Sequence, residues 1–131
     1  MSTWITKSAS TNDQEILCSY LYIFVRKDLP SKEQITVQAC HAAIEASRHF
    51  LTKETFHPSL VVLQVDNEED LEEVTLYLSE HGIRCKGFYE SWYNDSLTAV
   101  GTEIITGEKR KILRNYKLLD LKYWGCIWHG F

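Results

Sequence analysis

Several features that mark other classes of protein are missing from this chain of 131 residues. No apolar run approaches the roughly 20 residues of a membrane-spanning helix, and the N-terminus lacks the charged-then-apolar order of a secretory signal. A net charge of −4 argues against indiscriminate nucleic-acid binding. No C-x-x-C pair is present, so we expect no zinc site or disulfide framework, but reduced core thiols in a cytoplasmic protein. The cysteines are Cys18, Cys40, Cys85 and Cys126.

Proline is also scarce, and its two positions separate predicted elements. Pro30 follows residues 18–26, whose apolar run is typical of a strand buried on both faces. Pro58 precedes a second such run at residues 60–65. A helix between these strands would make them a parallel pair with a right-handed crossover.

The segment between the strands, residues 31–50, has a helical composition. Ser31 is a candidate N-cap, with Gln34 as its capping-box partner. At 100° per residue, a narrow polar stripe emerges on an otherwise apolar helix, consisting of Gln34, Gln38, His41 and Glu45. This stripe either marks where the helix meets water or lines a cleft at the carboxyl end of the first strand.

The remaining pattern predicts a second helix ending at Gly82, strands at residues 83–89 and 97–105 in a hairpin, and a short helix after Gly107. Acidic residues crowd the start of the second helix, where the helix dipole favours them. Such a surface would repel RNA, so we expect any tRNA contact elsewhere.

The order V-R-x-D-L, followed by a helix carrying V-Q-A-C-H-A-A, resembles type 2 peptidyl-tRNA hydrolases. In this chain the first motif spans residues 25–29 and the second spans residues 37–43. The resemblance implies an α/β three-layer sandwich, with a mixed four-stranded sheet and helices on both faces. It divides the chain into a loose N-terminal arm (residues 1–15), the family domain (16–119) and an aromatic extension (120–131).

The resemblance also implies an activity: hydrolysis of the ester between a peptide and tRNA, with no metal or organic cofactor. Such a reaction needs an activated water, an acid–base group and a donor for the oxyanion. His41 is the foremost candidate, because histidine ordinarily titrates near pH 6.5. The other catalytic candidates are Asp28, Gln38, Glu90 and Thr98.

Each candidate also has a structural interpretation. His41 could bond a backbone carbonyl, and Asp28 could be a turn residue instead of orienting His41 or polarising a water. Glu90, where the family has an aspartate, could be an exposed strand-end acid. Thr98 could simply be a good strand former.

Three departures from the family pattern keep a second hypothesis open, that of a non-catalytic tRNA- or protein-binding module. Gln34 occupies the position of a family lysine, for which Lys32 could substitute. The loop between Asp28 and Gln38 is one residue shorter than usual. The family's D-A-G-x-T loop is compressed here to ESWYNDSLTAV, starting at Glu90. Hydrolysis of another ester or amide attached to a nucleotide is a third possibility.

Substrate contacts are predicted from amides and cations. Gln34, Lys32 and Arg26 lie near the expected cleft. The one dense basic run is suited to phosphate contacts, although it could equally be a solvated face, and it includes Lys109, Arg110, Lys111 and Arg114. The aromatic extension could pack on the domain, join a partner in the homodimer common in the family, or stack on bases.

Overall fold

The computed structural model of the protein describes residues 19–123. The predicted N-terminal arm, Cys18, Cys126 and the aromatic residues from Trp124 onward lie outside this range. The three interpretations of the aromatic extension therefore stay predictions.

A five-stranded sheet forms the middle layer. Its strands are β1 (Ser19–Arg26), β2 (Ser59–Val65), β3 (Cys85–Glu90), β4 (Ser96–Thr106) and β5 (Lys117–Leu118), in the order β3-β4-β1-β2-β5. β1 and β2 are parallel, and the other neighbouring pairs are antiparallel. The mixed sheet is as predicted, with one more strand than the expected four. A two-residue strand carries too little pattern to be found from sequence.

One helix covers each face of the sheet, so the three-layer prediction is confirmed. The first, α1 (Lys32–Phe50), packs on one face, and the second, α2 (Glu68–Glu80), packs on the other. β1 supplies side chains to both cores, because successive strand residues point to opposite faces. Leu21, Ile23 and Val25 face α1, whereas Tyr22 and Phe24 face α2.

Local capping explains where the helices begin and end. The Ser31 Oγ accepts a hydrogen bond of 3.1 Å from the Gln34 N–H, as predicted for an N-cap. The reciprocal half of the capping box is missing, since the buried Gln34 Oε1 has no hydrogen-bond partner among residues 19–123. α2 ends at Glu80 and is followed by Gly82, whose φ of +73° suits glycine, and the Ile83 N–H returns to the Leu78 carbonyl.

Two predicted elements differ in the structure. The third strand begins at Cys85 instead of Ile83, because Ile83 is used to close the end of α2. The segment after the fourth strand, Gly107–Leu113, is a 3-10 helix where an α-helix was expected. Its last residue, Leu113, is buried in the core beneath α2.

The predicted polar stripe of α1 is oriented differently from expectation. Gln38 is fully buried, whereas three residues assigned to the apolar side, Val37, Cys40 and Ile44, are exposed. The stripe therefore does not simply mark where the helix meets water, because its central amide faces the sheet. Within residues 19–123, no helix is long and apolar enough to cross a membrane.

Candidate active site

Gln38 is the centre of a buried polar group that joins α1 to the hairpin of β3 and β4. Its side-chain Nε2 donates a hydrogen bond of 2.8 Å to Oε1 of Glu90. Its Oε1 accepts one of 2.6 Å from the Thr98 hydroxyl. Gln38 is 1% exposed and Thr98 is 0% exposed, so both bonds are shielded from water. An amide that is bonded at both ends inside a core has little freedom to move.

The chemistry of the partners sets which way the Gln38 amide faces. An ionised carboxylate only accepts hydrogen bonds, so Glu90 requires the NH₂ end of the amide. The carbonyl end then needs a donor, which the Thr98 hydroxyl provides. Reversing the amide would place two acceptor oxygens together unless Glu90 gained a proton. With an ionised Glu90, the three side chains are therefore satisfied by one orientation of the Gln38 amide.

A β-bulge aims Thr98 at this group. In the pairing of β3 with β4, Phe88 is opposite Ala99 and Tyr89 is opposite Leu97, so Thr98 is the extra residue. An extra residue bends its strand and can redirect a side chain. Here the Thr98 hydroxyl lies 3.3 Å from the Phe88 carbonyl and bonds Gln38.

His41 brings the group to the surface. Its Nε2 lies 3.9 Å from Oε1 of Glu90, which is within ion-pair range but longer than a hydrogen bond. The imidazole stacks on the Phe88 ring, with centroids 4.4 Å apart and planes at 14°. The His41 side chain is 39% exposed and that of Glu90 is 10% exposed. A substrate would therefore reach Glu90 from the side of His41.

Replacing Thr98 tests whether its hydroxyl holds the amide. In Thr98→Val, the buried Oε1 of Gln38 loses its donor, which costs about 1–3 kcal/mol of unfolding free energy. Thr98→Ser keeps a hydroxyl and is expected to stay within about 1 kcal/mol of the wild type. Urea unfolding of the three proteins measures this difference. Equal stability of the valine and serine variants would contradict the assignment.

Asp28 does not join this group, contrary to the expectation that it orients His41. Its carboxylate accepts hydrogen bonds from Nε (2.6 Å) and NH2 (3.0 Å) of Arg26. The guanidinium also donates to the Leu97 carbonyl at 3.1 Å and lies 3.7 Å from Glu68. Arg26 is the last of the β1 side chains that face α2. This second cluster therefore lies at the same end of the strands as the buried polar group, but on the opposite face of the sheet.

The pairing also changes the expected role of Arg26. Its pKa is raised, first by the hydrogen bonds to Asp28 and against the opposing effect of burial. The cation is therefore permanent, but three of its nitrogens already have acceptors on the protein. Arg26 is thus engaged in joining the loop after β1 to the start of β4, instead of standing free for a phosphate.

The other predicted substrate contacts are spread over the molecule. Lys32 is exposed in the first turn of α1, and Gln34 is half-buried one turn before Gln38. The basic run begins after Thr106, at the far end of β4 from Glu90. An eleven-residue strand extends roughly 33 Å, so the two regions are well separated.

The members of the basic run also differ in exposure and in their contacts with the rest of the protein. Arg110 donates to the Tyr22 hydroxyl and stacks on the Tyr20 ring at 3.5 Å, so it is part of the fold. Lys111 pairs with Glu108 at 2.8 Å. Lys109 and Arg114 are exposed.

An open cleft of about 720 Å³ lies elsewhere, beside the second half of α1 and the connection to β2. Its lining includes Leu21, Arg48, Lys53 and Leu60, and none of the predicted site residues. Among residues 19–123, no three His, Cys, Asp or Glu side chains are grouped to hold a metal ion.

Phe88 was not among the predicted site residues, although the sequence contains a signal for it. It precedes Glu90 by two positions, and side chains two apart on a strand share a face.

The prediction that the cysteines are core thiols holds only in part. Cys85 is half-buried, and burial raises its pKa, whereas Cys40 is exposed.

The chain is similar to a known protein family. No curated protein matches the chain. A family model described as peptidyl-tRNA hydrolase PTH2 matches residues 19–119, which span the sheet, both helices and every member of the buried polar group. This chain therefore belongs to the peptidyl-tRNA hydrolase PTH2 family.

Proposed function

We propose that Glu90, Gln38, Thr98 and His41 carry out the hydrolysis of peptidyl-tRNA that membership of this family implies. The observation that supports the proposal is the Gln38 amide, which is buried and bonded at both ends. It holds Glu90 in place beside His41, the one member of the group with substantial exposure. Preorganised groups of this kind lower a barrier because they need little rearrangement in the transition state.

Glu90 is assigned the role of general base. Its Oε1 accepts the Gln38 hydrogen bond, while no residue between 19 and 123 donates to its Oε2. A water molecule can therefore pass a proton to Oε2 as its oxygen bonds to the ester carbonyl carbon. Positioned acid–base catalysis typically contributes about 10²- to 10⁴-fold to a rate.

His41 is assigned the role of general acid. When its ring is protonated, it donates a proton to the ribose oxygen as the bond between that oxygen and the carbonyl carbon breaks. The products are a peptide with a free carboxyl group and a tRNA with a free hydroxyl group. Return of the proton from Glu90 to His41 through an intervening water restores both groups, because their side chains are 3.9 Å apart, which is longer than a hydrogen bond.

Recognition of tRNA is assigned to exposed cations. Lys32 lies in the first turn of the helix that carries Gln38 and His41, and it is assigned to phosphates near the ester. Lys109, Lys111 and Arg114 would contact phosphates farther along the tRNA. We also propose a cytoplasmic location, which is supported by membership of a family of peptidyl-tRNA hydrolases. Homodimer formation is a further proposal, to be tested by light scattering.

The proposal is tested by incubating the full chain with a peptidyl-tRNA whose peptide is labelled. The wild type is expected to release the labelled peptide, and His41→Ala is expected to release it at least 100-fold more slowly. Circular dichroism would confirm that the variant is folded. Intact substrate at high wild-type concentration, despite tRNA binding, would contradict hydrolysis and favour a binding module.

A further inference from the structure

A large exposed aromatic side chain follows the proposed base closely in sequence. Trp92 follows Glu90 by two residues and is 56% exposed. Tryptophan has a large apolar surface and is highly buried on average. An exposed indole at a site therefore offers apolar area for a ligand to cover.

The loop that carries Trp92 ends in a tight turn. Asn94 and Asp95 both have positive φ values, +59° and +52°, a turn conformation that asparagine and aspartate adopt more readily than other residues with side chains. The Ser96 hydroxyl closes the turn by donating 2.7 Å to the Tyr93 carbonyl.

The Tyr93 ring packs against the Trp92 indole. The two rings meet edge to face, with centroids 5.5 Å apart and planes at 62°. Tyr93 packs against the core under α1, and the Arg26 guanidinium lies 5.6 Å from its ring. Tyr93 therefore contacts both the core and Arg26, and Trp92 packs on Tyr93 while most of its own ring stays exposed.

We propose that Trp92 stacks on the unpaired base of the 3′-terminal nucleotide of tRNA, an inference that rests on the proposed function. The groups nearest to a side chain two residues from Glu90 are those that flank the ester, which are the last amino acid and the terminal nucleotide. The amino acid differs from one substrate to the next, whereas the 3′ end is shared by all tRNAs. Stacking on an aromatic ring is the usual way for proteins to hold unpaired bases.

The neighbouring strand offers a matched control. Tyr89 is 61% exposed, yet it points away from the site, because Phe88 and Glu90 on either side of it both contact His41. Replacing Tyr89 removes an exposed aromatic ring of similar size without touching the proposed stacking surface.

The test combines kinetics with binding, on the full chain. Trp92→Ala is expected to raise the KM for peptidyl-tRNA about 5- to 100-fold, the range that corresponds to one base–aromatic stack. We expect kcat to change by less than about threefold, since Trp92 does not touch the reacting atoms. Trp92→Phe is expected to recover most of the loss, and Tyr89→Ala to match the wild type. Calorimetry with the single-stranded RNA trinucleotide CCA is expected to show the same order of affinities.

The outcomes separate this inference from the proposed function. If the wild type releases peptide but Trp92→Ala matches it in both KM and trinucleotide affinity, stacking is wrong and hydrolysis stands. If the trinucleotide binds in a Trp92-dependent manner without peptide release, hydrolysis is wrong and stacking stands. A KM effect that varies with the last amino acid, with unchanged trinucleotide affinity, would assign Trp92 to the peptide and overturn the inference.

Discussion

Glu90→Gln is expected to reduce peptide release by about 10²- to 10⁴-fold, the range for loss of a positioned general base. Glutamine has nearly the same shape as glutamate, and its carbonyl oxygen can still accept the Gln38 hydrogen bond of 2.8 Å. The substitution therefore removes the proton acceptor and leaves the packing in place. Steady-state rates at saturating peptidyl-tRNA measure the effect, and urea unfolding checks that the fold is retained.

Glu45→Gln is the matched control for this prediction. Glu45 lies on α1, two turns beyond Gln38, and its carboxylate pairs with Arg48 at 3.2 Å instead of with Glu90 or Gln38. It is expected to retain the wild-type rate. A full rate in Glu90→Gln, or an equal loss in the two variants, would contradict the assignment of Glu90 as the base.

Gly101→Ala is expected to damage both stability and activity. A methyl group on Gly101 would meet the Ala46 Cβ at 2.7 Å and the Ala42 carbonyl oxygen at 2.8 Å, so α1 must move away from β4. Overpacking of this kind typically costs about 1–3 kcal/mol. The same movement would shift Gln38 and His41 relative to Glu90, and a displacement of about 1 Å can cost on the order of 100-fold in rate.

Gly107→Ala separates displacement of α1 from loss of stability. Gly107 has a φ of +60° but no atom within 4 Å of an added Cβ, so alanine there strains the backbone without pushing on a neighbour. We expect a loss of about 1–2 kcal/mol in unfolding free energy with a nearly normal rate of peptide release. Wild-type stability in Gly101→Ala would show that the contact between α1 and β4 is looser than the structure indicates.

The elements that could be predicted from sequence are those whose physics is local. The apolar run of β1 predicted burial on both faces, and Ser31 and Gly82 predicted where the helices begin and end. The residues of the site could also be named, because the stripe on α1 and the family motifs single out Gln38 and His41. What they do together depends on contacts between distant parts of the chain.

Three findings at the site depend on such contacts. The bulge that aims Thr98 at Gln38 arises from the pairing of two strands and has no signature in either strand alone. The preference of Asp28 for Arg26 follows from the burial of the guanidinium beside Leu97. Gln38 itself was predicted to lie on a polar stripe, but only the position of the hairpin shows that it is buried.

The central claim is that Glu90 and His41 act as one catalytic unit held by Gln38. It is tested most directly by single-turnover peptide release from peptidyl-tRNA in the wild type, Glu90→Gln, His41→Ala and the double variant. Residues that act as a unit are strongly non-additive, so the double variant is expected to be little slower than Glu90→Gln alone. Losses that multiply in the double variant, or a wild type that leaves the ester intact, would contradict the claim.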